Sequence, residues 1–148
     1  MNNSERRQQI VALARQWIGT PYRHQASMRG VGCDCLGLVR GIWRELYDAE
    51  PEDPGAYSSA WAEFDGSERL LNAARRHFVT VPLSDHMPGD VLLFRMRRRA
   101  VAKHLAIVSQ PDRMIHAYDG THVIETNLTP YWINKAVAAF SFPESVSD

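Results

Sequence analysis

Apolar residues recur at Ile10, Leu13, Ala14 and Trp17, the i, i+3, i+4, i+7 spacing of one helical face. This predicts an amphipathic helix over 4–18, capped by Ser4 and closed at Gly19-Thr20-Pro21, where glycine stops a helix and proline resists continuing it. A second face runs through Leu36, Val39, Trp43 and Leu46 and is widened by Leu38 and Ile42. So broad an apolar surface predicts a largely buried central helix, with Asp34 as its N-cap. Residues 51–55 read as a connector. A further helix is expected over 65–78, with Asp65 and Glu68 resembling a capping pair and Leu70, Leu71 and Ala74 facing inward.

After Phe78 the period changes. Residues 79–81, 91–94, 104–108, 113–117, 122–126 and 136–142 are strand candidates, and Met87-Pro88-Gly89-Asp90 is a turn. Helices come first and strands second. That order predicts an α+β fold with an antiparallel sheet rather than alternating β-α units. There is no internal repeat and no linker, so one domain is expected over 1–148, with a polar tail from about 143.

The chain has 148 residues, long enough to bury a sizeable core without disulfides or metals. Lysine plus arginine equals aspartate plus glutamate, so no global field draws it to nucleic acid or to an anionic membrane. The two cysteines stand two apart, too close for an ordinary structural disulfide. The N-terminal stretch lacks the continuous apolar core and cleavage site of a secretory signal, and no stretch has the apolar length of a membrane span. The expectation is synthesis in the cytoplasm without a signal peptide, no membrane insertion and no specific nucleic-acid partner.

The candidate chemistry centres on Cys35, one residue past the predicted cap, where a helix macrodipole would lower a thiol pKa. A cysteine on an apolar helix is often only a small buried side chain. Two histidines argue for more. His104 opens one strand candidate and His116 lies on the next, so a short hairpin would set them side by side. Cys35 then reads as a nucleophile, His104 as its base and His116 as the group that orients the base. Cys33 precedes the cap and reads as structural or loop-facing, while His24, His77, His86 and His122 read as surface or loop residues. Cys33, Cys35, His104 and His116 also form a possible zinc set, but one residue between the cysteines is fewer than zinc knuckles use. No metal and no organic cofactor is expected. Arg95, Arg97, Arg98, Arg99 and Lys103 cluster between two strand candidates. They read either as a solvated hairpin tip or, chiefly through Arg97, Arg98 and Arg99, as a contact for an anionic glycan, a nucleic acid or a protein partner.

Five motifs appear in order: Gly19-Thr20-Pro21-Tyr22, Asp34-Cys35-Leu36-Gly37-Leu38-Val39, Pro88-Gly89-Asp90, His104-Leu105-Ala106-Ile107-Val108 and Met114-Ile115-His116-Ala117. Over about residues 10–126 the chain resembles the NlpC-type cell-wall cysteine peptidases, the NlpC and p-sixty superfamily, whose pattern runs GTPY, DCSGLV, PGD, HVGIY and IHA. The stretch GCDCLGLVRGIWRELY is similar to the branch encoded among tail genes of phages and phage-like gene transfer agents.

The resemblance implies a papain-like fold, with N-terminal helices packed on an antiparallel sheet and the nucleophile at the start of the central helix. It implies Cys35 as nucleophile, His104 as base and His116 as third residue, with Asn127 a rival for that place. It implies that Tyr22 lies over the cleft and helps position substrate or oxyanion, with the backbone N–H of Cys35 as an oxyanion donor. The implied reaction is hydrolysis of peptidoglycan stem peptides between D-glutamate and a diamino acid such as diaminopimelate. The implied partners are tail-tip or baseplate proteins of a particle that delivers the enzyme to the periplasm of a target cell. Two departures bear on specificity: Leu36 replaces the usual serine, and Leu105-Ala106 replaces the usual Val-Gly. A structural or adaptor role in the tail, or an amidase or acyl transferase of the same fold, are the competing readings.

Overall fold

The computed structural model describes residues 2–51 and 68–144. Helix α1 spans Asn3–Arg15 and is capped by Asn2, whose side chain accepts from the Glu5 N–H at 2.8 Å. The cap thus lies before Ser4, and the helix stops short of the expected 18, because residues 16–19 tighten into a turn that tucks Trp17 into the core. Gly19 then takes φ +91°, a left-handed conformation suited to glycine.

Strands β1 (Ser27–Met28) and β2 (Gly32–Cys33) form a small antiparallel ribbon ahead of helix α2 (Cys35–Tyr47). Asp34 caps α2 through Oδ1, which accepts from the Gly37 N–H at 2.7 Å, and its Oδ2 accepts from the Gln25 N–H at 2.7 Å. Helix α3 (Arg69–His77) follows. Asp65, the expected first half of a capping pair, lies outside the described residues. Glu68 occupies the N-cap position without capping, because its carboxylate is committed elsewhere: Oε2 accepts from Arg95 Nη1 at 2.8 Å and Oε1 from the Ala102 N–H at 2.9 Å.

Six strands follow among the described residues: β3 (Val79–Val81), β4 (Val91–Phe94), β5 (His104–Gln110), β6 (Arg113–Ala117), β7 (Val123–Asn127) and β8 (Ala136–Ser141). They form one antiparallel sheet in the order β3-β8-β4-β5-β6-β7. A short helix absent from the sequence reading, α4 (Pro130–Ile133), sits between β7 and β8. The fold is α+β, with helices packed on an antiparallel sheet.

Alternation along β4 and β5 divides the core. Val91, Leu93, Leu105 and Ile107 pack with α1, with Trp17 of the turn that follows it and with α2; Trp17 and the α2 residues Leu38 and Ile42 are fully buried. Leu92, Phe94, Ala106 and Val108 pack on the other face with Met114 and Leu128, next to Trp132 of α4. Each large apolar side chain so buried stabilises the fold by about 1.5–3 kcal/mol.

Two glycines let α2 approach its neighbours. A Cβ on Gly37 would stand 1.9 Å from the Ala26 carbonyl oxygen, and one on Gly41 would stand 2.1 Å from the Trp17 ring. The Pro88-Gly89-Asp90 motif is likewise structural. Gly89 turns at φ +93°, and the buried Asp90 carboxylate accepts from Arg7 of α1, Ser141 of β8 and the Met87 N–H.

Candidate active site

Cys35 is the first residue of α2, so its N–H has no partner within the helix. Its thiol donates to the backbone carbonyl of Lys103 at 3.5 Å. That places the sulfur beside the start of β5, where His104 is the first residue. The pairing of Phe94 with His104 fixes the histidine on the sheet. The β5–β6 register pairs Ile107 with Ile115, which sets His116 opposite Ala106, one same-face step from His104. The hairpin thus converts a separation of twelve residues into contact: His104 Nε2 lies 2.8 Å from His116 Nδ1. His116 Nε2 in turn lies 3.4 Å from Thr126 Oγ1 on β7.

Rings enclose the pair. Trp132 stacks on His104 with centroids 5.5 Å apart and meets His116 edge-on at 5.1 Å. Tyr118 stands perpendicular to His104 at 5.7 Å, and Phe94 closes from 5.8 Å. The sequence reading missed both Trp132 and Tyr118. Thr129-Pro130, a capping-type residue followed by a proline at the first helical position, was the signal for α4.

Enclosure sets the charge states. Burial, and then the neighbouring His116, push the His104 imidazole pKa down to about 3; burial pushes His116 down to about 4. Burial, and then the Asp34 carboxylate, push the Cys35 thiol up to about 12, against the backbone N–H groups of Leu105, Leu36 and Cys35 that favour the thiolate. This corrects the expectation of a macrodipole-lowered thiol. The carboxylate that caps the helix sits one residue from the sulfur and works against the thiolate, and enclosure works in the same direction. The resting pair is a neutral thiol and a neutral imidazole.

Tyr22 is half-buried and packed against the core. Its segment bridges to Cys33, with the Cys33 N–H donating to the Pro21 carbonyl and the Arg23 N–H to the Cys33 carbonyl, both at 3.0 Å. Burial, then the nearby Cys35 and Asp34, hold its phenol above the ordinary range, so it stays protonated beside the sulfur. Thr20 is buried because its hydroxyl accepts from the Gly30 N–H at 2.9 Å. Cys33 faces the core, where burial pushes its thiol up to about 12.

Asn127 is exposed at the end of β7, and its Oδ1 accepts from Arg113 Nη1 at 2.7 Å. It is His116 that meets His104. Arg97, Arg98 and Arg99 are exposed in the β4–β5 loop. Arg95 is not part of a solvated tip, because Glu68 holds it. Of the departures from the family pattern, Leu36 and Leu105 line one cavity of about 310 Å³ between α2, α3 and the sheet, with Trp43, Phe78 and Phe140, while Ala106 packs on the other face of the sheet. Among the described residues no three His, Cys, Asp or Glu side chains gather as a metal site, and no helix is long and apolar enough to cross a membrane.

A cysteine thus stands at the start of a buried helix, set against a strand that opens on a paired histidine, on an α+β scaffold. The model of the NlpC/P60 family matches residues 19–141, and the chain belongs to that family. It is 27% identical over 118 residues to the protein of Escherichia coli (strain K12) named "Probable endopeptidase NlpC", covering 78% of this chain and 65% of that one. The NlpC/p60 domain of the peptidoglycan hydrolase SagA shares the fold at 22% identity with a TM-score of 0.64, covering 90% of this chain and 96% of that one. NlpC2 from Trichomonas vaginalis shares it at 17% identity with a TM-score of 0.68, covering 96% of this chain and 48% of that one.

Proposed function

We propose that the protein is a cysteine endopeptidase that hydrolyses the stem peptides of peptidoglycan, with Cys35 as nucleophile, His104 as base and acid, and His116 as the residue that orients His104. The observation that carries this is the 2.8 Å contact between His104 Nε2 and His116 Nδ1, beside the thiol at the start of α2. Family membership and the name of the E. coli relative support an endopeptidase, and the name of SagA supports peptidoglycan as the substrate class.

The steps follow from the atoms present. With the shared proton on His104 Nε2, donated to His116 Nδ1, the His104 Nδ1 lone pair is free. The Cys35 thiol leaves the Lys103 carbonyl, gives its proton to Nδ1, and the sulfur attacks the scissile carbonyl carbon. The Cys35 N–H at the helix start and the protonated Tyr22 hydroxyl receive the oxyanion. His104 then protonates the departing amine, leaving a thioester. Water gives a proton to His104, attacks the thioester and releases the acid, and the thiol recovers its proton.

The bond assigned is that between D-glutamate and diaminopimelate, and the place assigned is the tail of a phage-like or gene-transfer-agent particle, in contact with tail-tip or baseplate proteins. The motif order and the stretch GCDCLGLVRGIWRELY support these finer assignments. The test is incubation with Gram-negative sacculi and mass spectrometry of the released fragments, with Cys35→Ala alongside. Fragments cut between D-glutamate and diaminopimelate, absent in the variant, are expected. Release of whole stems would make it an amidase. For the tail assignment, particles carrying Cys35→Ala are expected to assemble normally and deliver poorly; normal delivery would favour a structural role.

A further inference from the structure

The proposed reaction leaves unused a surface that begins at the catalytic pair. Trp132 turns inward over His104, while its neighbour Tyr131 turns outward and is 57% exposed. Lys135 Nζ sits 4.8 Å from the centre of the Tyr131 ring and donates to the Met96 carbonyl at 3.3 Å. That bond ties the turn between α4 and β8 to the β4–β5 loop, where the next three arginines, Arg97 to Arg99, are exposed. On the other side of Trp132, Tyr118 is 38% exposed and meets both Trp132 and His104 edge-on at 5.7 Å. The surface therefore runs from the base, across two exposed tyrosines, to a cationic end, on a chain whose net charge is zero.

We infer that this surface holds the polymer strand flanking the scissile peptide, a saccharide chain with carboxylate-bearing peptide branches. The inference rests on the proposed peptidoglycan substrate. A polymer whose scissile bond lies at Cys35 and His104 must leave the site across a neighbouring surface, and Tyr118 and α4 are contiguous with His104. A tyrosine ring with a cation over one face offers the other to the C–H face of a sugar. Exposed arginines attract carboxylates and speed their encounter in a salt-dependent way. Exposed rings grouped beside a site mark an interaction surface more often than scattered apolar residues do.

The experiment compares intact sacculi with a soluble L-alanyl-D-glutamyl-diaminopimelate peptide that lacks the glycan, using wild type, Tyr131→Ala and the triple variant Arg97→Ser, Arg98→Ser, Arg99→Ser. Sacculus co-sedimentation and turnover are expected to fall about tenfold in each variant, with soluble-peptide turnover unchanged. Tyr131→Trp should restore binding, and raised salt should erase the difference between wild type and the arginine variant. Unchanged sacculus binding in both variants overturns the inference. Equal losses on both substrates also overturn it, since they mark a merely structural effect. Variants that keep sacculus binding but lose a tail-protein contact would assign the surface to a protein instead. If wild type cleaves neither substrate, the proposed activity fails by itself, and co-sedimentation still decides the surface.

Discussion

The imidazoles of His104 and His116 stand 77° apart in plane and share one proton across 2.8 Å between Nε2 and Nδ1. Where that proton sits decides whether His104 keeps a free lone pair for Cys35. Replacing His116 with alanine removes the acceptor and lets the His104 ring turn. The expected result is a fall in kcat of about 10²-fold or more with KM little changed, read from steady-state hydrolysis of a soluble stem peptide. His116→Asn, which retains an acceptor, should recover part of the loss. An unaltered kcat in His116→Ala would remove it from the site.

The same burial makes the fold acid-sensitive. Both histidines have folded pKa values below their ordinary value, so the unfolded chain binds more protons between those values. Stability from this source is present above about pH 6.5, the ordinary histidine value, and falls as pH drops toward the folded values of about 3 and 4. Thermal melting should show Tm declining from pH 6.5 to pH 4, with a shallower decline in His116→Asn. A Tm that rises over that interval would contradict the buried, neutral pair.

Asp34 has two effects of opposite benefit. It caps α2 and holds the Gln25 N–H, yet its charge raises the neighbouring Cys35 thiol pKa. Asp34→Asn keeps an oxygen for Gly37 and removes the charge. The expected outcome is a loss of about 1–2 kcal/mol in stability by denaturant titration, together with faster alkylation of Cys35 at pH 8. Slower alkylation would mean that Asp34 does not raise the thiol pKa.

Gly37 and Gly41 test the packing of α2. Alanine at Gly37 drives a methyl against the Ala26 carbonyl at 1.9 Å, and the same change at Gly41 drives one into the Trp17 ring. Each is expected to cost about 2–3 kcal/mol despite alanine's better helix propensity. A stabilised protein in either case would show that the neighbours yield freely. Gly37→Ala should also lower activity more than Gly41→Ala, because it displaces the turn that carries Cys35.

Local patterns were legible wherever one face of an element is buried. The period of α2 reflects a helix pressed on the sheet, and the apolar runs of β4, β5 and β6 reflect strands covered on both faces, so α2 follows its Asp34 cap, β4 and β6 have their expected bounds and β5 runs on to Gln110 rather than stopping at Val108. Elements stabilised by few or distant partners were not legible. The β1–β2 ribbon is two residues wide, and α4 is a single turn. Glu68 read as the second half of a capping pair with Asp65, but its partners Arg95 and Ala102 lie far along the chain.

By itself the sequence determined the α+β order, the family motifs and the residue types a thiol hydrolase requires, because periodicity, capping and turn chemistry are encoded within a few residues. Only the tertiary structure decided that His116 rather than Asn127 meets His104, since strand register, not sequence separation, brings side chains together. It also decided that the thiol is held neutral and that Trp132 covers the histidines. Those properties depend on burial and on groups from distant segments, whose proximity exists only once the sheet has formed.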